Sequence, residues 1–128
     1  MKMFMFSLIT ILLNYFSGHS QSDKWYQQQF QKAEAFIEQG LPRSATEVYD
    51  TIFTRALQEQ NKIMQIKVIN DRLISRCYYE PEALQLIIDL LQSDLPKLEP
   101  PVQQIAHSLL GQIYWQYYQN DRWRILKL

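Results

Sequence analysis

Ser44-Ala45-Thr46-Glu47-Val48-Tyr49-Asp50-Thr51-Ile52-Phe53-Thr54-Arg55-Ala56-Leu57 sets an apolar residue at 45, 48, 49, 52, 53, 56 and 57. Steps of three and four mark one face of an α-helix. Glu47, Asp50, Thr54 and Gln58 fall on the opposite face and suit water. Pro42-Arg43 leads in, and Ser44 with Glu47 three residues on reads as a capping box. An isolated amphipathic helix is marginal in water, so neighbouring segments must cover this seam.

On the N-terminal side, a helix is expected from about Lys24 to Gln39, striped by Tyr26, Phe30, Ala33 and Ile37. Ser22 or Asp23 is its expected cap, accepting from the unpaired N–H groups of the first turn. Gly40 ends it, because glycine tolerates the left-handed conformation of a helix terminus.

On the C-terminal side, Lys62 to Tyr78 forms the next helix after a break near Gln60-Asn61. Ile66, Ile69, Leu73 and Cys77 mark one face, and Ile63, Met64, Val68 and Ile74 broaden it, which predicts cover on more than one side. Glu80-Pro81-Glu82 opens a fourth helix lined by Ala83, Leu84, Ile87, Ile88, Leu91 and Leu95, with Pro near its first position. Pro96 stops it. A fifth starts near Pro101 and carries Val102, Ile105, Ala106, Leu109, Leu110, Ile113, Tyr114, Tyr117 and Tyr118. Gly111 lies within that helix, a cost of about 1 kcal/mol relative to Ala unless a neighbour packs closely there. No alternating strand pattern stands out.

The expected fold is all-α: about five helices in antiparallel hairpins, joined by short breaks. The second and third together approach the length of a tetratricopeptide hairpin, about 34 residues. The packing is tetratricopeptide-like by length, without that repeat's specific residues. Stacked hairpins leave a concave face suited to partners.

Residues 1–20 read as a signal peptide. Lys2 supplies the charge, Met3 to Phe16 the apolar run, and Gly18-His19-Ser20 the small residues before a cleavage site. The run is shorter than the roughly 20 apolar residues of a membrane span. Residues 21–128 are then the helical domain, exported to the periplasm or secreted, with no membrane association after cleavage.

Composition narrows the chemistry. The 128 residues carry 13 Lys and Arg against 13 Asp and Glu, a net charge of zero. No basic stripe follows a phosphate backbone, which argues against nucleic acid as a partner. A single cysteine, Cys77, permits no internal disulfide, and its spacing reads as a small buried hydrophobe. His107 lacks a His, Cys or acidic neighbour at ligand spacing, so no metal site is expected. Asp89 with Asp94, and Glu80 with Glu82, read as solvated faces and helix-start charges. No phosphate loop or nucleophile motif occurs. No catalytic residue, cofactor or enzymatic activity is therefore expected.

The end of the fifth helix is distinctive: Trp115-Gln116-Tyr117-Tyr118-Gln119-Asn120-Asp121-Arg122-Trp123-Arg124-Ile125. At helical spacing its aromatics read first as core and interface packing. Trp115, Tyr118, Arg122, Trp123 and Arg124 are the candidate interface residues, since Trp and Arg anchor protein interfaces. Trp123, Ile125, Leu126 and Leu128 crowd the last positions, which reads as the opening segment of a longer protein or a module that docks through this end.

Leu41-Pro42-Arg43-Ser44-Ala45, His107-Ser108-Leu109-Leu110 and Ile113 to Ile125 resemble the N-terminal helical region of large bacterial alpha-2-macroglobulin family proteins. The resemblance implies a signal sequence, an all-helical segment and a place in a protein that traps proteases. The trapping parts, a bait segment and a Cys-Gly-Glu-Gln thioester, are not in this sequence. The implied role is a non-catalytic scaffold or docking region, truncated from later domains of the same protein, which would be its partner. The other expectation is a free-standing periplasmic tetratricopeptide-like module that binds a protein or peptide.

Overall fold

The computed structural model describes residues 22–127. The expected signal segment lies outside the described residues. The fold is all-α, with no strand among the described residues. Helix α1 covers residues 22–38. It is followed by α2 (Pro42–Gln58), α3 (Lys62–Cys77) and α4 (Ala83–Asp94). A 3-10 turn (Leu95–Lys97) leads on toward α5 (Val102–Leu126).

Helix α1 ends in a hydrogen-bonded reversal. Gly40 has φ +74°, its N–H donates to the Ile37 carbonyl (3.0 Å), and Leu41 N–H donates to Phe36 (2.8 Å). That pairing is the Schellman arrangement. The same pattern recurs after α2, where Gln60 takes φ +53° and Asn61 N–H reaches Ala56 O (2.9 Å). A side chain in this region is strained by about 1–2 kcal/mol, so periodicity locates the second break but not its left-handed residue.

The caps differ from expectation. Ser22 and Asp23 lie inside α1, and Ser22 Oγ donates to Glu59 Oε2 (3.2 Å). Helix α2 begins at Pro42 with Leu41 as its cap residue, so Ser44 is already helical and no side-chain capping bond forms. Proline needs no N–H partner at that position, which moves the start three residues earlier, the cap passing from Ser44 to Leu41. The side-chain cap that does form is Asn61 on α3, accepting from Met64 N–H (3.2 Å). Pro81 precedes the cap residue of α4, Glu82.

Contacts fix the helix directions. Trp25 lies by Arg55, and Phe30 by Tyr49, so α1 and α2 run antiparallel. Thr46 Oγ1 donates to Ser75 Oγ (2.7 Å), and Gln65 Nε2 donates to Ala56 O (3.0 Å), so α2 and α3 do likewise. Lys67 Nζ over the Phe30 ring ties α3 to α1. Lys62 Nζ donates to Pro100 O (2.9 Å), holding the entry to α5 beside the start of α3. The α4 and α5 helices pack on each other and on α3.

The core collects the seam around which the fold is organised: Ala45, Val48, Tyr49, Ile52, Phe53 and Ala56 are buried. Tyr26, Val68, Ile69, Leu73, Ile87, Ile88 and Leu91 close over it. Helix α3 departs from its expected faces. Val68, Ile69 and Leu73 point inward, whereas Ile63 (72 % exposed), Ile74 and Cys77 face out. The buried face of α3 instead includes Gln65, Arg72 and Ser75. Cys77 is thus not a core residue, although partial burial pushes its thiol up from the ordinary value.

Candidate functional site

Helix α5 is two-sided. In its first half Val102, Ala106 and Leu110 are buried, and Leu109, Ile113 and Tyr117 pack against the core. Its second half carries exposed side chains along most of its length. At 3.6 residues per turn, the apolar face formed by Tyr114, Trp115, Tyr118, Ile125 and Leu126 lies roughly 150° around the helix from the face that meets the bundle. No single orientation of α5 buries both faces against this bundle. The expected second stripe is therefore core only as far as Ile113 and Tyr117, and Tyr114 and Tyr118 leave it.

Trp115 is 63 % exposed, Trp123 66 % and Leu126 67 %. The Trp115 and Tyr118 rings sit 5.9 Å apart at a tilt of 31°. The Arg122 guanidinium lies 5.0 Å from the Trp123 ring centroid. Trp115, Tyr118 and Arg122 share the outward face by helical register, and Trp123 lies roughly 100° around the helix from its centre. Arg124 turns the other way: it donates to Tyr117 Oη (3.4 Å) and pairs with Asp121 (3.5 Å). Both arginines lie within α5 rather than beyond its end. Tyr114 Oη accepts from Gln92 Nε2 of α4, which pins the edge of this face to the bundle.

Gly111 falls in the middle of the outward face. A Cβ built on it meets nothing within 4 Å. No neighbour within the bundle accounts for its lack of a side chain.

A second cluster was not legible as such in the sequence. Arg72 is 9 % exposed at its side chain and pairs with Asp94, which is 2 % exposed. Arg72 Nε also donates to Asp50 Oδ1 (2.7 Å), and Arg76 Nη2 donates to Asp50 Oδ2 (2.9 Å). The Arg72 guanidinium lies 4.4 Å from the Phe53 ring centroid. Asp94 is thus a buried partner rather than a solvated charge, and Asp50 is half-buried and doubly bound rather than free in water. The available signal was register: Arg72 stands four after Val68 and three after Ile69, inside the apolar stripe. Every buried side-chain polar atom among the described residues has a partner, so the cluster is satisfied and joins α2, α3 and α4.

At the other end of α2, Tyr26 Oη donates to Glu59 (2.7 Å), and Arg55 Nε donates to the same carboxylate (2.7 Å). The Arg55 bond, then the Tyr26 bond, hold the Glu59 carboxyl below its ordinary value. Burial, then the Glu59 bond, raise the Tyr26 hydroxyl.

His107 is exposed. Among the described residues, no group of three or more His, Cys, Asp or Glu is placed to hold a metal ion. No helix there is long and apolar enough to cross a membrane. The fold and its outward aromatic helix define a class, an all-α helical-hairpin protein with a large exposed apolar face. No family model, curated protein or solved structure matches the chain.

Proposed function

We propose that the protein is a non-catalytic helical docking module. The bundle of α1 to α4 with the first half of α5 is the base. The second half of α5 meets another protein surface. One observation carries this reading: Trp115, Trp123 and Leu126 are each about two-thirds exposed on a helix whose outward side faces away from its own core. Contiguous apolar patches beyond a few hundred Å² are rare on monomers and mark interaction sites. The resemblance of Leu41–Ala45 and Ile113–Ile125 to alpha-2-macroglobulin family proteins supports an exported setting, with domains of such a protein as the candidate surface.

Tryptophan fluorescence tests the docking reading. In a Trp25→Phe variant, Trp115 and Trp123 are the remaining indoles. Their emission in dilute protein should be red-shifted and readily quenched by iodide. Blue, shielded emission from a monomeric species overturns the reading. The family placement is tested separately by the gene: a continuing frame that encodes macroglobulin domains supports it, and a frame without them overturns it.

One observation favours a second reading, a tetratricopeptide-like module that takes a peptide. A groove of about 380 Å³ runs between α1 and α3, with Phe30 and Met64 apolar and Asp23, Glu34 and Lys67 charged. Peptide binding lost in Glu34→Lys but kept in Trp115→Ser would select this groove over α5.

A further inference from the structure

We infer that the outward face of α5 pairs with the same face of a second copy of this chain, the two helices running antiparallel. The inference rests on the docking reading and names its occupant.

The seam is written at alternating steps of four and three: Gly111, Trp115, Tyr118, Arg122 and Ile125. That is the register in which one helix meets another along a narrow stripe. An antiparallel pairing centred between residues 116 and 117 sets Trp115 against Tyr118 of the second copy, and Tyr118 against its Trp115. Gly111 then faces the Arg122 of the other copy, a residue without a side chain opposite the longest one in the seam. This gives the open notch at Gly111 an occupant that the bundle does not supply. Ile125 falls opposite Ser108, which is exposed.

Charge selects the direction. A parallel pair sets Arg122 on Arg122. The antiparallel pair separates them by about 11 residues, roughly 16 Å along the axis at 1.5 Å per residue, beyond the ~8 Å screening length of physiological salt. The flanks of the seam carry Gln112 and Gln119, exposed and uncharged, on one side, and on the other Asp121, whose charge is paired with Arg124 of the same helix.

Area selects the size of partner. With aromatic side chains each offering about 150–250 Å², the exposed parts of Trp115, Tyr114, Tyr118, Ile125 and Leu126 amount to roughly 500 Å². A standard interface takes about 800 Å² from each partner. Two copies of the face together bury about 1,000 Å², enough for a small, reversible interface between copies and too little to call for a larger partner. Among the described residues, the bundle lies on the other side of α5.

Sedimentation equilibrium of the purified protein over a concentration series tests this, with far-ultraviolet circular dichroism as the check on folding. A reversible dimer is expected. Tyr118→Lys and Gly111→Phe should each weaken it by at least tenfold while leaving the helical spectrum unchanged, because both sites are exposed in one chain. A dimer insensitive to both variants overturns the inference. A monomer whose Trp115 and Trp123 are freely quenched overturns the second copy and leaves the docking reading standing. A monomer with those indoles shielded removes both.

Discussion

Replacing Arg72 with Met tests the interior most sharply. Arg72 bridges Asp50 of α2 and Asp94 of α4 from its place on α3. The methionine fills much of the same space and removes the charge. Asp50 keeps Arg76 at 2.9 Å and is only half-buried, so it loses little. Asp94 is 2 % exposed and, among the described residues, retains only Lys97 as a charged partner, at 3.6 Å and with a side chain 58 % exposed. Removing one member of a buried pair costs about 3–5 kcal/mol, because the other charge is left without compensation. At roughly 4–8 °C per kcal/mol for a domain of this size, the melting temperature should fall by at least about 12 °C. Replacing both residues, Arg72→Met with Asp94→Leu, should recover most of that loss, since buried pairs exchange for apolar groups at little net cost. Urea unfolding followed by circular dichroism gives the full cycle. A single variant that loses less than about 1 kcal/mol, or a double variant as unstable as the single, refutes the buried bridge.

Ile52 is fully buried at the centre of α2, so Ile52→Ala should lose about 2–5 kcal/mol and Ile52→Asp should abolish the cooperative melt; a near-native melt for Ile52→Asp refutes the packing. Asn61→Ala should lose about 0.5–2 kcal/mol through its cap on α3, whereas Ser44→Ala should change little because Ser44 makes no cap; equal effects in chemical denaturation contradict the observed helix starts. Glu59 binds a proton less readily folded than unfolded, so its contribution is whole above the unfolded value near ~4.3 and fades as pH falls through the lower folded value. Glu59→Gln should therefore melt below the parent at neutral pH, with the gap closing in acid; a gap that widens in acid refutes the Arg55 and Tyr26 bonds.

The seam from Ala45 to Ala56 and the places of the five helices were legible in the sequence, because a period of 3.6 is a local property and needs no knowledge of neighbours. Breaks at Gly40 and near Gln60 were legible for the same reason. The helix starts were less so: Pro42 and Ser44 both signal one, and only the backbone path decides between them. Cys77, Ile63 and Ile74 share the apolar spacing of α3, yet the helices around it leave their side uncovered.

Periodicity records which residues share a face and is silent on what that face meets. On α3 it grouped Arg72 with Val68 and Ile69, but an arginine in an apolar stripe can reach past its neighbours to water; Asp94 had to be brought alongside for it to remain inside. On α5 it joined Ile113 to Tyr118 as one stripe, while the bundle is long enough to cover only the first half of the helix. Local chemistry wrote the helices and their greasy sides into the chain. Which of those sides became core, which became an ion pair and which stayed open was decided by the finite number and length of the other helices available to cover them.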